Sequence, residues 1–184
     1  MVKNLIIMFI AILFCGCVFI QNRDTENVEI KYTSGKVFCR GQYETINGEI
    51  SYPTGNWILY YPNGQIKEEI TYFEEYSDPG LTIKYDSNGL MFSKKEIEDY
   101  NNYYYEEYFD NGKRKLDKHY QQEFYTEEGM DFLNTIAIFT EYYYSGEIKN
   151  KYTLLNGMYY GEYIEFNTYG DSLVYYNFVD DLGF

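Results

Sequence analysis

The chain has one histidine, one tryptophan, three prolines and three cysteines in 184 residues. Each scarcity closes off some chemistry. His119 stands alone, so a zinc site built from several histidines is excluded by count. No serine sits in a G-x-S-x-G nucleophile elbow. Cys39 is the one cysteine outside the first seventeen residues, too few for a thiolate cluster or a disulfide framework. A lone cysteine on an apolar strand reads as a small hydrophobe. Alanine is nearly absent after the first twelve residues, and helix formers are scarce with it. Basic residues number 15 against 29 acidic ones, a net charge of −14. A nucleic-acid binder gains affinity by neutralising phosphates with Lys and Arg, so this balance argues against one. It also opposes direct adsorption to anionic lipid headgroups.

What the chain has in abundance is tyrosine, 25 residues, with 13 phenylalanines beside them. A tyrosine suits a half-exposed pleated surface, burying its ring while its hydroxyl reaches water. That composition points to an all-β protein of one domain.

The N-terminus carries a different signal. Lys3 precedes an unbroken apolar stretch, Leu5 to Phe14. It is too short to span a bilayer, which takes about 20 apolar residues, and it fits a signal-peptide core. Phe14-Cys15-Gly16-Cys17 resembles the bacterial lipobox, with Gly16 at the small position and cleavage before Cys17. Phe14 and Cys15 depart from the usual Leu and Ala or Ser. The resemblance implies a signal helix over 1–16, a lipidated Cys17 and an anchor on the extracytoplasmic side of a bacterial membrane. Several acyl chains, at about 0.8 kcal/mol per buried methylene, would hold it there. Residues 17–34 then read as the lipidated cysteine and a polar tether, and 35–184 as the folded domain.

The body repeats. Tyr60 to Gly64, Tyr85 to Gly89, Tyr108 to Gly112, Tyr142 to Gly146 and Phe166 to Gly170 each place an aromatic residue four positions before a glycine. Tyr125 to Gly129 is a weaker copy. Asn63-Gly64, Asn88-Gly89 and Asn111-Gly112 predict two-residue hairpin turns in which both central residues take positive φ. A second glycine, Gly55, Gly80 or Gly161, lies nine residues upstream of three of these turns. The flanks alternate as strands should: Trp57, Leu59 and Tyr61 on one face, Ile58 and Tyr60 on the other.

Gly55 to Lys67 (GNWILYYPNGQIK), Tyr142 to Lys149 (YYYSGEIK) and Asn156 to Leu173 (NGMYYGEYIEFNTYGDSL) resemble the MORN-variant repeat. The resemblance covers roughly Gly48 to Phe178. Gly112 and Gly146 lack the upstream glycine, with Tyr103 and Ala137 in its place. It implies an elongated, twisted antiparallel sheet of stacked hairpins. Because a single hairpin is marginal in water, each repeat must bury its aromatic face against its neighbours.

The candidate binding face is therefore aromatic: Trp57, Tyr60, Tyr85, Tyr108, Tyr142 and Phe166. No catalytic, metal or cofactor site is expected. Asp86-Ser87-Asn88-Gly89 lacks the further carboxylates of a calcium loop. The expected function is a non-catalytic binding or scaffold module whose partner is a protein or the cell envelope. The family resemblance adds an alternative, an antitoxin recast by the signal peptide as an immunity-like lipoprotein that blocks an incoming toxin.

Overall fold

The computed structural model of the chain describes residues 23–73, 79–127 and 130–178. The expected signal helix and Cys17 lie outside the described residues. Those described form one antiparallel sheet of twelve strands in sequence order: β1 (Arg23–Lys31), β2 (Val37–Ile46), β3 (Glu49–Tyr60), β4 (Ile66–Tyr72), β5 (Pro79–Tyr85), β6 (Met91–Asp99), β7 (Asn102–Tyr108), β8 (Arg114–Glu127), β9 (Met130–Tyr142), β10 (Ile148–Leu155), β11 (Met158–Phe166) and β12 (Ser172–Phe178). The all-β expectation holds, and no helix occurs among the described residues.

The tether expected over residues 17–34 is corrected in part. Arg23–Lys31 is the first strand and pairs with β2 along its whole length, Arg23 opposite Ile46 and Ile30 opposite Cys39. Its polarity, which reads as a tether, is what an edge strand carries: Arg23, Asp24, Glu26, Glu29 and Lys31 discourage further pairing.

The turns alternate between two ends of the sheet. At one end sit six glycine turns, at Gly35, Gly64, Gly89, Gly112, Gly146 and Gly170. In the second of them the Gly64 amide donates to the Tyr61 carbonyl at 2.8 Å and the Tyr61 amide to the Gln65 carbonyl at 2.8 Å. The other five repeat this pattern. It is the three-residue hairpin: a type I turn closed by a residue in the left-handed region that forms a bulge. Only the glycine has positive φ, 94° at Gly64. The two-residue geometry expected for Asn63-Gly64, Asn88-Gly89 and Asn111-Gly112 is thus corrected. Asn63 and Asn111 instead accept, through Oδ1, the amides of Gln65 and Lys113 two residues on. Such short-range side-chain bonds make Asn a turn residue without a left-handed backbone. Two-residue turns with both φ positive occur at the other end, at Asn47-Gly48 (55° and 84°) and Asn156-Gly157 (51° and 84°). Gly129 of the weaker copy lies outside the described residues.

Successive glycine turns are clasped together. Tyr32, Tyr61 and Tyr143 each donate a hydroxyl to the last strand carbonyl before the next turn, at Tyr60, Tyr85 and Phe166, over 2.7–2.8 Å. Asn63 Nδ2 donates to the Ser87 carbonyl and Asn111 Nδ2 to the Tyr144 carbonyl. At the third turn Asp86 takes the tyrosine position and binds its own loop, accepting the Asn88 and Leu90 amides. Those carboxylate bonds explain this segment without calcium.

No second layer lies over either face among the described residues, and burial is shallow. Among the described residues Cys39, Trp57 and Ala137 form the buried apolar set, with Thr45 and Ser93 the buried polar ones. Trp57 is 8% exposed because its ring lies flat over Gly41 on the neighbouring strand, edge-on to Tyr43, and its Nε1 donates to the Gln42 carbonyl. A Cβ at position 41 would stand 2.1 Å from the ring. Gly41→Ala is expected to displace Trp57 and cost about 1–3 kcal/mol, the usual range for overpacking. Denaturant unfolding followed by the emission of this one tryptophan measures it; an unchanged midpoint would contradict the close packing.

Candidate binding surface

Side chains alternate between the faces of a strand, and directly paired residues share a face. Starting from Trp57, the register carries one row across ten strands: Trp57–Ile70–Thr82–Lys95–Tyr105–Lys118–Phe139–Tyr152–Tyr163–Tyr176. We call this the front face. Its members stand seven positions before or six after a turn glycine, so the turn frame generates the row. The bulge in β11 that includes Gly161 (φ 68°) brings Tyr163 opposite Tyr152.

The C-terminal half of the row is an aromatic ladder. Ring centroids are 4.8 Å apart from Phe139 to Tyr152, 5.9 Å from Tyr152 to Tyr163 and 6.3 Å from Tyr163 to Tyr176. Tyr159 and Phe178 stack on each other beside it at 5.3 Å. Lys118 closes the other end, its ammonium 5.1–5.5 Å from the rings of Tyr103, Tyr120 and Phe139, within cation–π range. Lys95 sits 4.6 Å over Tyr103 from the far side. Next to these lysines the face opens into a cleft of about 260 Å³ lined by Phe73, Gly80, Lys95, Asn102, Tyr103 and Tyr120.

The six aromatics proposed from sequence do not share this surface. Trp57 is on the front face, seven residues before its glycine. Tyr60, Tyr85, Tyr108, Tyr142 and Phe166 stand four before theirs, and the odd difference turns them to the back. There Tyr85, Tyr108 and Tyr142 act as braces. Tyr85 donates to Glu69 at 2.7 Å, Tyr108 to Glu106 at 2.7 Å and Tyr142 to Asp117 at 2.6 Å, and Tyr175 on the last strand donates to Glu162 at 2.8 Å. The front ladder was missed because its residues share no simple motif; counting back seven from each glycine would have found Trp57, Tyr105, Phe139 and Tyr163. The five turn glycines named from sequence, Gly64, Gly89, Gly112, Gly146 and Gly170, do lie together at one end of the sheet, with Gly35 as a sixth. Gly35 was hidden by Lys31, which stands where the others have an aromatic.

Potential reacting groups are committed to neighbours. Glu106 and Asp117 face each other across β7 and β8, but Arg114 bridges them at 2.8 and 3.0 Å and each also accepts a tyrosine hydroxyl. His119 stacks on Tyr104 at 4.3 Å on the back face. Cys39 is 4% exposed, and burial pushes its thiol pKa up. No cluster of three metal-ligating side chains occurs among the described residues. No helix there is long and apolar enough to cross a membrane.

Family-model scanning finds no match to the chain, and searches of curated proteins and of solved structures find none either.

The braces set a pH limit. Burial, then the hydrogen bond to Glu69, pushes Tyr85 up to about 12; burial, then Glu106, does the same to Tyr108. Burial followed by Asp117 raises Tyr142 as well. An unfolded tyrosine ionises near 10. The raised folded values mean that the stability these groups contribute is complete below about pH 10 and is lost as pH rises toward 12. Tyrosinate absorbance recorded with circular dichroism should show a late-ionising group of tyrosines that titrates as the sheet unfolds, reduced by two residues in Tyr85→Phe/Tyr108→Phe. One titration near pH 10 with the sheet intact would contradict it.

Proposed function

We propose that the protein is a non-catalytic binding or scaffold module of MORN-like hairpin repeats, lipid-anchored through Cys17 on the extracytoplasmic side of a bacterial membrane. The observation that carries the binding role is the front ladder with Lys118 at its head. Aromatic rings at this density offer wide, rigid contact area for little entropy loss, which suits a protein surface or an envelope polymer. Tyr85, Tyr108 and Tyr142 are bound to carboxylates, and Glu106 and Asp117 to Arg114 and a tyrosine each, which favours binding over chemistry at those groups. The short apolar N-terminal stretch and Phe14-Cys15-Gly16-Cys17 support the anchor. Nucleic acid is an unsuitable partner for a chain of charge −14.

Two measurements test this reading. Wild type grown with an alkyne fatty acid should take the label and enter the membrane fraction, and Cys17→Ser should do neither; an unlabelled, soluble wild type overturns the anchor. Tyr159→Ser/Tyr176→Ser changes two exposed front-face rings and should weaken capture of envelope partners about tenfold or more, that is by at least about 1.4 kcal/mol, without loss of the sheet. Unchanged capture overturns the front face as the docking surface.

The acidic balance supports a second reading, an immunity-like protein that neutralises a toxin, since a strongly acidic surface complements a basic target and speeds encounter with it. Deleting the gene should then raise sensitivity to a neighbouring strain's toxin, and unchanged sensitivity removes this reading.

A further inference from the structure

The two edges of the sheet are built differently. β1 carries five charged residues in nine, the usual protection of an exposed edge. β12, Ser172-Leu173-Val174-Tyr175-Tyr176-Asn177-Phe178, has no charge and no proline. β11 pairs with one side of it, and among the described residues no strand lies on the other. Its side chains are uncovered as well, Leu173 at 58% and Tyr175 at 54%. A seven-residue edge of this kind is a template for another strand.

The sequence of β12 is also complementary to itself. Placed antiparallel about Tyr175, with faces matched, two copies set Val174 opposite Tyr176 twice on the front face. On the back face Tyr175 meets Tyr175, and Leu173 meets Asn177. Aromatic and β-branched residues are favourable cross-strand partners, and no charge meets a like charge. Asp171 borders β12 on one side and Asp180 follows it by two residues in sequence, while within the sheet the nearest acid is Glu162, one strand inward on β11, paired with Asn177 and bound by Tyr175. Two such glutamates would stand about three strand spacings apart, roughly 14 Å, beyond the Debye length of about 8 Å at physiological salt. The chain's charge of −14 is thus kept out of the seven paired positions, with Asp171 and Asp180 flanking them. The front ladder, which ends at Tyr176, would continue across the joint into the second copy.

We propose that β12 pairs antiparallel with β12 of a second copy of this chain, about a two-fold axis at Tyr175, joining two twelve-stranded sheets into one. The contact is isologous and closes at two copies, leaving the charged β1 edges outermost. It does not depend on what the front face binds.

Covalent trapping tests the register directly. In the full chain, Tyr175→Cys places two cysteines opposite each other, within the 4.4–6.8 Å Cα separation that a disulfide bridges. Leu173→Cys would leave its two copies four residues out of step, about 13 Å apart along the strands and out of reach. Mild oxidation should give a covalent dimer with Tyr175→Cys well above the wild-type level, and with Leu173→Cys no more than wild type. Adding Val174→Lys to Tyr175→Cys should abolish the dimer, with Trp57 emission unchanged to show that the sheet is intact. Wild-type levels from Tyr175→Cys, equal trapping by both single variants, or trapping of Tyr175→Cys onto a different protein would each overturn the proposal.

Discussion

The constraint on which the rest of this structure depends is that, among the described residues, the sheet has no second layer. In a sandwich or an α/β fold, a strand buries its apolar face against another element. Here a side chain can be covered only by side chains on neighbouring strands of the same sheet. Long, flat groups that lie along the surface are favoured, and tyrosine is the best of them, since its ring covers a neighbour while its hydroxyl finds a carbonyl or a carboxylate. The abundance of tyrosine and the scarcity of fully buried residues are two results of one cause. Trp57 shows the limit of such packing: it is buried only because Gly41 leaves room for the ring.

Repetition turns these local contacts into an architecture. Each glycine turn fixes the register of its hairpin, and the register fixes which residues meet. Positions seven before and six after the glycine fall into the front row, and positions four before fall on the back. Clasps such as Tyr61 to the Tyr85 carbonyl then tie turns to their neighbours. Tyrosine–carboxylate pairs brace both faces, Tyr85, Tyr108 and Tyr142 on the back and Tyr105 to Glu107 and Tyr152 to Glu141 on the front, where rings such as Tyr159 and Tyr176 stay exposed.

Much of this was legible in the sequence, and the failures have physical reasons. The glycine period and the alternation beside it were visible because a bulged hairpin admits few residues at its left-handed position and a half-buried strand admits few polar ones on its covered face. β1 was not visible, because an edge strand has little apolar area to bury and is selected for charge. The asparagines before Gly64 and Gly112 suggested a left-handed pair, but there the asparagine acts through its side chain on the amide two residues on. The candidate face was half legible. The aromatics four before each glycine were plain, whereas which face they occupy depends on the parity of their distance from the turn. The ladder from Phe139 to Tyr176 depends further on the bulge in β11, which no local motif announces.

Solvent access to both faces of the folded sheet tests the central claim most directly. Hydroxyl-radical footprinting of the full chain, with circular dichroism confirming the sheet, should modify Tyr104 and Tyr175 on the back as well as Tyr159 and Tyr176 on the front. All four are about half exposed. Modification on both sides is the result a single-layer sheet predicts. Protection of one whole face, with the other labelled, would mean that a second layer covers it and that the account of how this chain holds together is wrong.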